Sequence, residues 1–317
     1  MRQYLETVKE VLTKGKRKSN RTGVDTLSTF NINYEIDLAE GFPLLTTKKI
    51  SWKNIVVENL WFLSGDKHIG LLKKHGCKFW DPWADDAGFV PSAYGNYWRH
   101  FPVHKKHSLF EGIPTPGFND QISYVINEIK KNPMSRRLVV SAWDPGNAQT
   151  SKLPPCHCLF AFNVQVDEES VCSKHLEPDY TNCGICRLSL SLNLHLTQRS
   201  CDVALGVPYN IAGYAFILSV IGHLTGIRPG IFAHTLIDAH IYTAKKDGSM
   251  AEYDHVPGLE EQLTRQPGKL PTLEISDDIK SLDDIAELFK ADTAQILSKF
   301  ELKGYTAAPA IKFKVAI

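Results

Sequence analysis

From Arg187 to Leu196 the sequence alternates without a break. Leu188, Leu190, Leu192, Leu194 and Leu196 fall on one side, and Ser189, Ser191, Asn193 and His195 on the other. Successive side chains of an extended strand point to opposite faces, so this stretch predicts a strand with one packed face. Shortly after it, Ile211 to Leu224 is almost wholly apolar and long enough for a core helix. Its densest part, Tyr214 to Ile221, is far too short to span a bilayer.

Other periodic segments are mixed irregularly along the chain. Tyr4, Leu5, Val8, Val11 and Leu12 form one helical stripe over residues 2–14, with Gly15 as the stop. Residues 51–63 read as a buried helix carrying Glu58 inside it, and residues 120–131 as an amphipathic one. Leu138 to Trp143 and Cys158 to Val166 read as strands, and Asp283 to Lys299 as a helix with an acidic start that suits its dipole. Pro and Gly clusters near 113–117 and 266–271 mark loops. Neither a repeat nor a long linker divides the 317 residues. The expectation is one α+β domain, residues 1–317, with a mixed sheet covered by helices.

Charge narrows the partners. With 36 basic and 35 acidic residues the net charge is +1, so no broad basic surface invites nucleic acid or a membrane. The N-terminus lacks the apolar run of a signal peptide, which predicts a cytoplasmic protein. Its 7 cysteines then read as thiols or metal ligands rather than disulfides.

Three clusters carry chemistry. Cys156, in Leu153-Pro154-Pro155-Cys156-His157, is a candidate nucleophile held rigidly between prolines and a strand, provided that a cation such as Arg199 comes close. The other reading is one more buried cysteine. Arg21, the pair Arg136-Arg137, and Arg199-Ser200 suit a phosphomonoester dianion, although singly each could be a surface ion pair. Asn210, just before the apolar helix, could cap it or read a base edge with its amide.

Taken together, the motifs resemble those of thymidylate synthases almost end to end. The shared stretches include Arg21-Thr22-Gly23, Phe42-Pro43-Leu44-Leu45-Thr46-Thr47-Lys48, Trp80-Asp81-Pro82-Trp83, Ser135-Arg136-Arg137, Pro155-Cys156-His157, Gln198-Arg199-Ser200-Cys201-Asp202, Gly206-Val207-Pro208-Tyr209-Asn210 and Asp238-Ala239-His240-Ile241-Tyr242. The resemblance implies the family's fold, with sheets packed together in a homodimer. It implies transfer of a one-carbon unit from 5,10-methylenetetrahydrofolate, the co-substrate, to C5 of dUMP, giving dTMP and dihydrofolate.

The resemblance also implies roles. Cys156 is the nucleophile, Glu58 organises water and protons, Tyr94 helps to remove the C5 proton, and Asp202 serves both catalysis and folate. Gln198 and Asn210 meet the base, while His240 and Tyr242 meet the sugar. Arg21, Arg199 and Ser200 meet the phosphate, and Arg136 and Arg137 reach the neighbouring subunit's phosphate site. Lys48, Trp80, Trp83, Gly206, Tyr209 and Ala316 lie on the folate side.

The chain departs from the family at Asn59, Phe79, Tyr209, Ile237 and Ala244-Lys245. Because these flank the folate or the water network, a dUMP 5-hydroxymethylase on the same scaffold is the rival reading. An inactive homologue or an RNA-binding protein is a more distant one. Residues 167–187 form an insertion outside the family pattern. Cys172, His175, Cys183 and Cys186 have the C-x2-H and C-x2-C spacing of a structural zinc knuckle.

Overall fold

The computed structural model describes residues 1–103, 117–146, 148, 151–167 and 179–316. The helices in chain order are α1 (Arg2–Lys14), α2 (Trp52–Ser64), α3 (Gly70–Lys74), α4 (Tyr94–His100), α5 (Gln121–Lys131), α6 (Gly184–Leu188), α7 (Gly206–Thr225), α8 (Val256–Leu263), α9 (Leu282–Phe289) and α10 (Thr293–Lys299). The strands are β1 (Lys16–Lys18), β2 (Asp25–Asp37), β3 (Phe101–Pro102), β4 (Phe118–Asn119), β5 (Val139–Ser141), β6 (His157–Val166), β7 (Leu190–Gln198), β8 (Cys201–Asp202), β9 (Arg228–Thr243), β10 (Thr272–Ile275) and β11 (Phe300–Lys303). The main sheet runs β1-β2-β9-β7-β6-β5, with β8 added beside β9. β7 and β8 run parallel to β9 and the other pairings are antiparallel, so the sheet is mixed, as expected of an α+β domain.

The alternating strand sits near the middle of this sheet. Leu190, Leu192, Leu194 and Leu196 are buried beneath α7, whose side chains are themselves almost all buried. The opposite face carries Asn33, Glu35, Asn163, Gln165 and His195, all exposed. α7 is 20 residues long, enough by length and apolarity to cross a membrane, which the shorter run 214–221 did not suggest. It begins before that run, at Gly206, and stops where Gly226 turns left-handed at φ 70°. Sandwiched between the sheet and α2, it is a core helix.

Two boundaries differ from expectation. The strand begins at Leu190 rather than Arg187, because 184–188 wind into α6. Arg187 holds that turn by donating to the carbonyls of Tyr180 and Thr225, each at 3.1 Å, and Leu188 is left 72% exposed. The segment 283–299 is two helices, not one. Asp292 interrupts it by accepting from Gln295 N at 2.8 Å, which caps α10 and starts a new axis. The loop expected at 113–117 lies, apart from Gly117, outside the described residues. That at 266–271 carries no regular structure.

This register gives a direct test by chemical denaturation. Leu194→Ala should cost about 2–5 kcal/mol by opening a cavity between β7 and α7. Leu188→Ala, in the same alternating pattern but off the strand, should stay within about 0.5 kcal/mol of the parent.

Candidate active site

The pairing of β6 with β7 sets His157 opposite Gln198, which brings Cys156 beside Arg199. Arg199 N donates to the Cys156 carbonyl at 2.8 Å. Its guanidinium reaches back to the carbonyls of Pro155 (3.0 Å) and Pro154 (2.7 Å). From the other side, the hydroxyl of Tyr94, at the start of α4, accepts from Cys156 N at 3.0 Å. The Tyr94 ring stacks on His157, with centroids 4.5 Å apart. The Pro-Pro-Cys turn is thus clamped by a cation and a phenol while Cys156 stays partly exposed. Burial pushes its thiol up, and Arg199, Arg21 and hydrogen bonds with Tyr94 and Ser200 oppose that rise.

Glu58 projects from α2 and accepts from Trp80 Nε1 at 2.8 Å. Burial raises its carboxyl to about 7 against that hydrogen bond, a range in which a carboxyl can both give and take a proton near neutrality. Trp80 is held by edge contacts with Phe62 and Tyr94, so the partner of Glu58 and the phenol at Cys156 share one aromatic cluster.

Two of the unusual polar residues are already engaged. Asn59 donates to Ile55 O at 2.8 Å and faces Gly213 of α7, where a Cβ would lie 3.0 Å from its nitrogen. Tyr209 packs edge-on against Phe79 at 4.9 Å, and its hydroxyl meets the backbone of Ser51.

The phosphate and sugar candidates gather at the same end of the sheet. Arg21 precedes β2 and stands 5.8 Å over the Trp83 ring. The pairing of β2 with β9 sets Ser28 opposite His240 and Thr26 opposite Tyr242, whose hydroxyl reaches Thr22. Burial works against protonation of His240, yet the Asp238 carboxylate 3.7 Å away, the Asp202 charge and the Asp238 carbonyl together more than offset it, and the imidazole is raised. Asp238 is itself held well below the usual carboxylate range by His240, by Lys18 at 2.5 Å and by Ser28 at 2.6 Å. Arg136 and Arg137 lie apart, exposed before β5, and form no ion pair with a described residue.

On the folate side, Lys48 is buried rather than open to solvent. It donates to Ala204 O at 2.5 Å and lies 4.7 Å from the Phe313 ring, and burial lowers its ammonium to about 8 while Asp202 opposes the shift. Asp202 accepts from Ala204 N and Leu205 N, turning the chain into α7 at Gly206. The C-terminal stretch that covers Lys48 is tied down at Ala308, Pro309 and Lys314 by Thr46, Arg265 and His255. Ala316 is half-buried, while Ile317 lies outside the described residues.

At the base edge, Asn210 Oδ1 accepts from Gln198 Nε2 at 3.0 Å, and its amide also bonds His157. Burial drives the His157 imidazole down to about 3, so the ring is neutral. In the sequence His157 and Asp238 stand out only as motif neighbours of Cys156 and His240, and their partnerships come from strand pairing. Of the four candidate zinc ligands, Cys172 and His175 lie outside the described residues. Cys183 caps α6 and Cys186 is buried in its first turn. No cluster of three or more metal-ligating side chains occurs among the described residues.

Similarity to known proteins runs along nearly the whole chain. The family model described as "Thymidylate synthase" matches residues 2–317. A curated thymidylate synthase of Haloferax volcanii is 37% identical over an alignment of 363 residues, covering 98% of this chain and 95% of the relative.

The Glu58–Trp80 pair predicts a pH signature. The kcat/KM profile should carry a limb near 7 that Glu58→Gln abolishes, with a loss of about 10²–10⁴-fold in rate. Trp80→Phe removes a bond to the carboxylate, so the limb should move to higher pH. A raised folded pKa means stability present below about 4.5 and lost as pH rises to about 7. Thermal unfolding should therefore show Glu58→Gln more stable than the parent at pH 8 and not at pH 4.

Proposed function

This chain belongs to the thymidylate synthase family, whose reaction joins dUMP and 5,10-methylenetetrahydrofolate to give dTMP and dihydrofolate, and on that premise we propose how its own residues carry the steps. C5 of uracil is a poor nucleophile. Cys156 Sγ adds to C6, which turns C5 into the nucleophilic carbon of an enolate. Asn210 holds the O4 and N3–H edge where the negative charge grows. Arg21, Arg199 and Ser200 bind the phosphate, His240 and Tyr242 the deoxyribose. Tyr94 and Glu58 manage the C5 proton and the protons at O4. Trp80, Trp83, Tyr209 and Gly206 border the folate, with Lys48, Asp202 and Ala316 beside the C-terminal stretch. The folate supplies the carbon and the hydride. The observation that carries this reading is the Cys156 turn, clamped by Arg199 and Tyr94 and set next to the Asn210–His157 pair.

Reduction to a methyl group, rather than capture by water, requires a dry site. One amide N–H of Asn59 is taken by Ile55 O and the Tyr209 hydroxyl meets the Ser51 backbone, so each has fewer groups left to hold an added water in the cleft, which supports dTMP as the product. The open face of the sheet and the exposed Arg136 and Arg137 support a homodimer in which both arginines reach the neighbouring subunit's phosphate site. The six described cysteines form no disulfide among themselves, which suits a reducing compartment such as the cytoplasm.

For residues 167–187 the reading is a structural zinc held by Cys172, His175, Cys183 and Cys186. Its support is the ligand spacing, together with Cys183 and Cys186 falling three residues apart on one face of a helical start.

Product analysis by mass tests the chemistry. Dihydrofolate should form in step with dUMP consumption, and a product heavier than dTMP by one oxygen would establish the hydroxymethylase. Cys156→Ala should bind dUMP and form no dTMP, so substantial turnover in that variant removes the assigned nucleophile. Separately, elemental analysis of protein purified without added metal should find about one zinc per chain. Full stability of a metal-free preparation would defeat the knuckle.

A further inference from the structure

The carbonyl of Ser200 can only accept a hydrogen bond, and that restriction fixes the direction of a whole line of side chains. One terminal atom of Gln198 lies 3.0 Å from the Ser200 carbonyl and 3.0 Å from the Asn210 amide. It is therefore the nitrogen, with two hydrogens for two acceptors, and the Asn210 atom facing it is the oxygen. The oxygen of Gln198 is left facing His234 Nε2 at 3.0 Å, so Nε2 carries the hydrogen. His234 is fully buried and burial holds its imidazole well below the ordinary range, so the ring is neutral and has a single N–H. Its Nδ1 is then bare and accepts from the Tyr34 hydroxyl at 2.7 Å.

We propose that Tyr34 and His234 are positioning residues that lock the Asn210 amide in the orientation selecting uracil over cytosine. The proposal rests on the reading of Asn210 as the group that meets the base edge. Uracil offers N3–H and the O4 acceptor, which match an amide presenting Oδ1 and Nδ2 as this one does. Cytosine offers a bare N3 and an amino group and calls for the flipped amide. Flipping Asn210 sets its NH2 against that of Gln198. Flipping Gln198 as well sets its oxygen against the Ser200 carbonyl and its NH2 against His234 Nε2–H. Each correction passes the mismatch one residue along: turning His234 to its other tautomer makes the Tyr34 hydroxyl the acceptor and leaves its own hydrogen without a partner among the described residues, while the Ser200 carbonyl, which can only accept, faces an oxygen throughout. Discrimination thus depends on two residues that do not touch the base.

The test is binding of dUMP and dCMP by calorimetry, with kcat/KM for dUMP, in Tyr34→Phe, His234→Leu, His234→Gln and Asn210→Ala. Tyr34→Phe keeps the ring packed on His234 and removes only the donor, so it should fold like the parent. The dCMP-to-dUMP ratio of dissociation constants should narrow about tenfold in Tyr34→Phe, the size expected for one lost buried hydrogen bond. It should narrow at least as far in His234→Leu and return in His234→Gln, whose amide can donate to Gln198. The ¹⁵N spectrum should show His234 protonated at Nε2 and bare at Nδ1 in the parent, and a mixture of tautomers in Tyr34→Phe. Parent-like discrimination in folded Tyr34→Phe and His234→Leu, alongside its collapse in Asn210→Ala, overturns the lock and leaves the reading of Asn210 standing. Unchanged discrimination in Asn210→Ala sinks that reading and the lock with it.

Discussion

Everything at the site hangs on the register of β7. A slip of one residue would send Leu190, Leu192, Leu194 and Leu196 to the open face and the polar set into the core. The four leucines are buried against α7, so that slip is strongly forbidden. The same register sets Gln198 opposite His157 and, one residue on, Arg199 against the carbonyls of the Pro-Pro-Cys turn. On the far side it sets Leu196 beside His234 and Gln198 beside Leu236. Hydrophobic packing in the middle of the sheet therefore aims the polar groups at its end. No local preference of Arg199 or Cys156 would bring them together.

The chain announces its elements more clearly than its partnerships. The stripe of α1, the amphipathic α5 and the strand 158–166 follow from periodicity, because each buries one face, and the helix around Glu58 follows from an apolar run buried on nearly every side. Boundaries fail where a side chain acts across the chain. Arg187 winds 184–188 into a helix by reaching Thr225, and Asp292 breaks a helical run by capping a new one. Candidate site residues are marked by the collinear motifs, and strand pairing groups Cys156, Arg199, Gln198, Asn210 and His240 at one end of the sheet. What could not be read is which polar group meets which. Tyr34 and His234 carry no motif, and their link to Asn210 exists only once β2, β9, β7 and α7 are stacked. Lys48 is marked by a family motif, but its burial beneath Phe313 depends on where the C-terminal stretch lies.

The site keeps its charges few and separates them by function. Both buried histidines at the base edge, His157 and His234, are neutral because burial drives their protons off. Among the described residues, Arg199 and Arg21 are the cations that act on Cys156, and both are phosphate-site candidates. His240 is the exception: Asp238 and Asp202 together keep it raised, and Asp238 in turn is shared with Lys18 and Ser28. A protonated His157 or His234 would be a second source of positive charge beside the base. It would also destroy the directional logic of the hydrogen bonds, since an imidazolium has two donors and no acceptor.

Neutral donors and acceptors are cheap to bury only when every one is matched, and an unmatched one costs about 1–3 kcal/mol. That asymmetry is what makes a buried amide a good reader of a nucleobase. The direct bonds to uracil contribute modest net energy, but a cytosine in the same place leaves two groups facing like partners in a medium that no water relieves. The penalty holds only as long as the amide cannot rotate to avoid it. Asn210 taken alone can turn by half a revolution at small cost, and a free rotor of this kind would accept either base. Its selectivity has to be supplied from outside, by neighbours whose own donors and acceptors are fixed. The Ser200 carbonyl, which can only accept, anchors one end of that line, and the Tyr34 hydroxyl biases the other, since among the described residues its hydrogen is bonded only when it donates to His234.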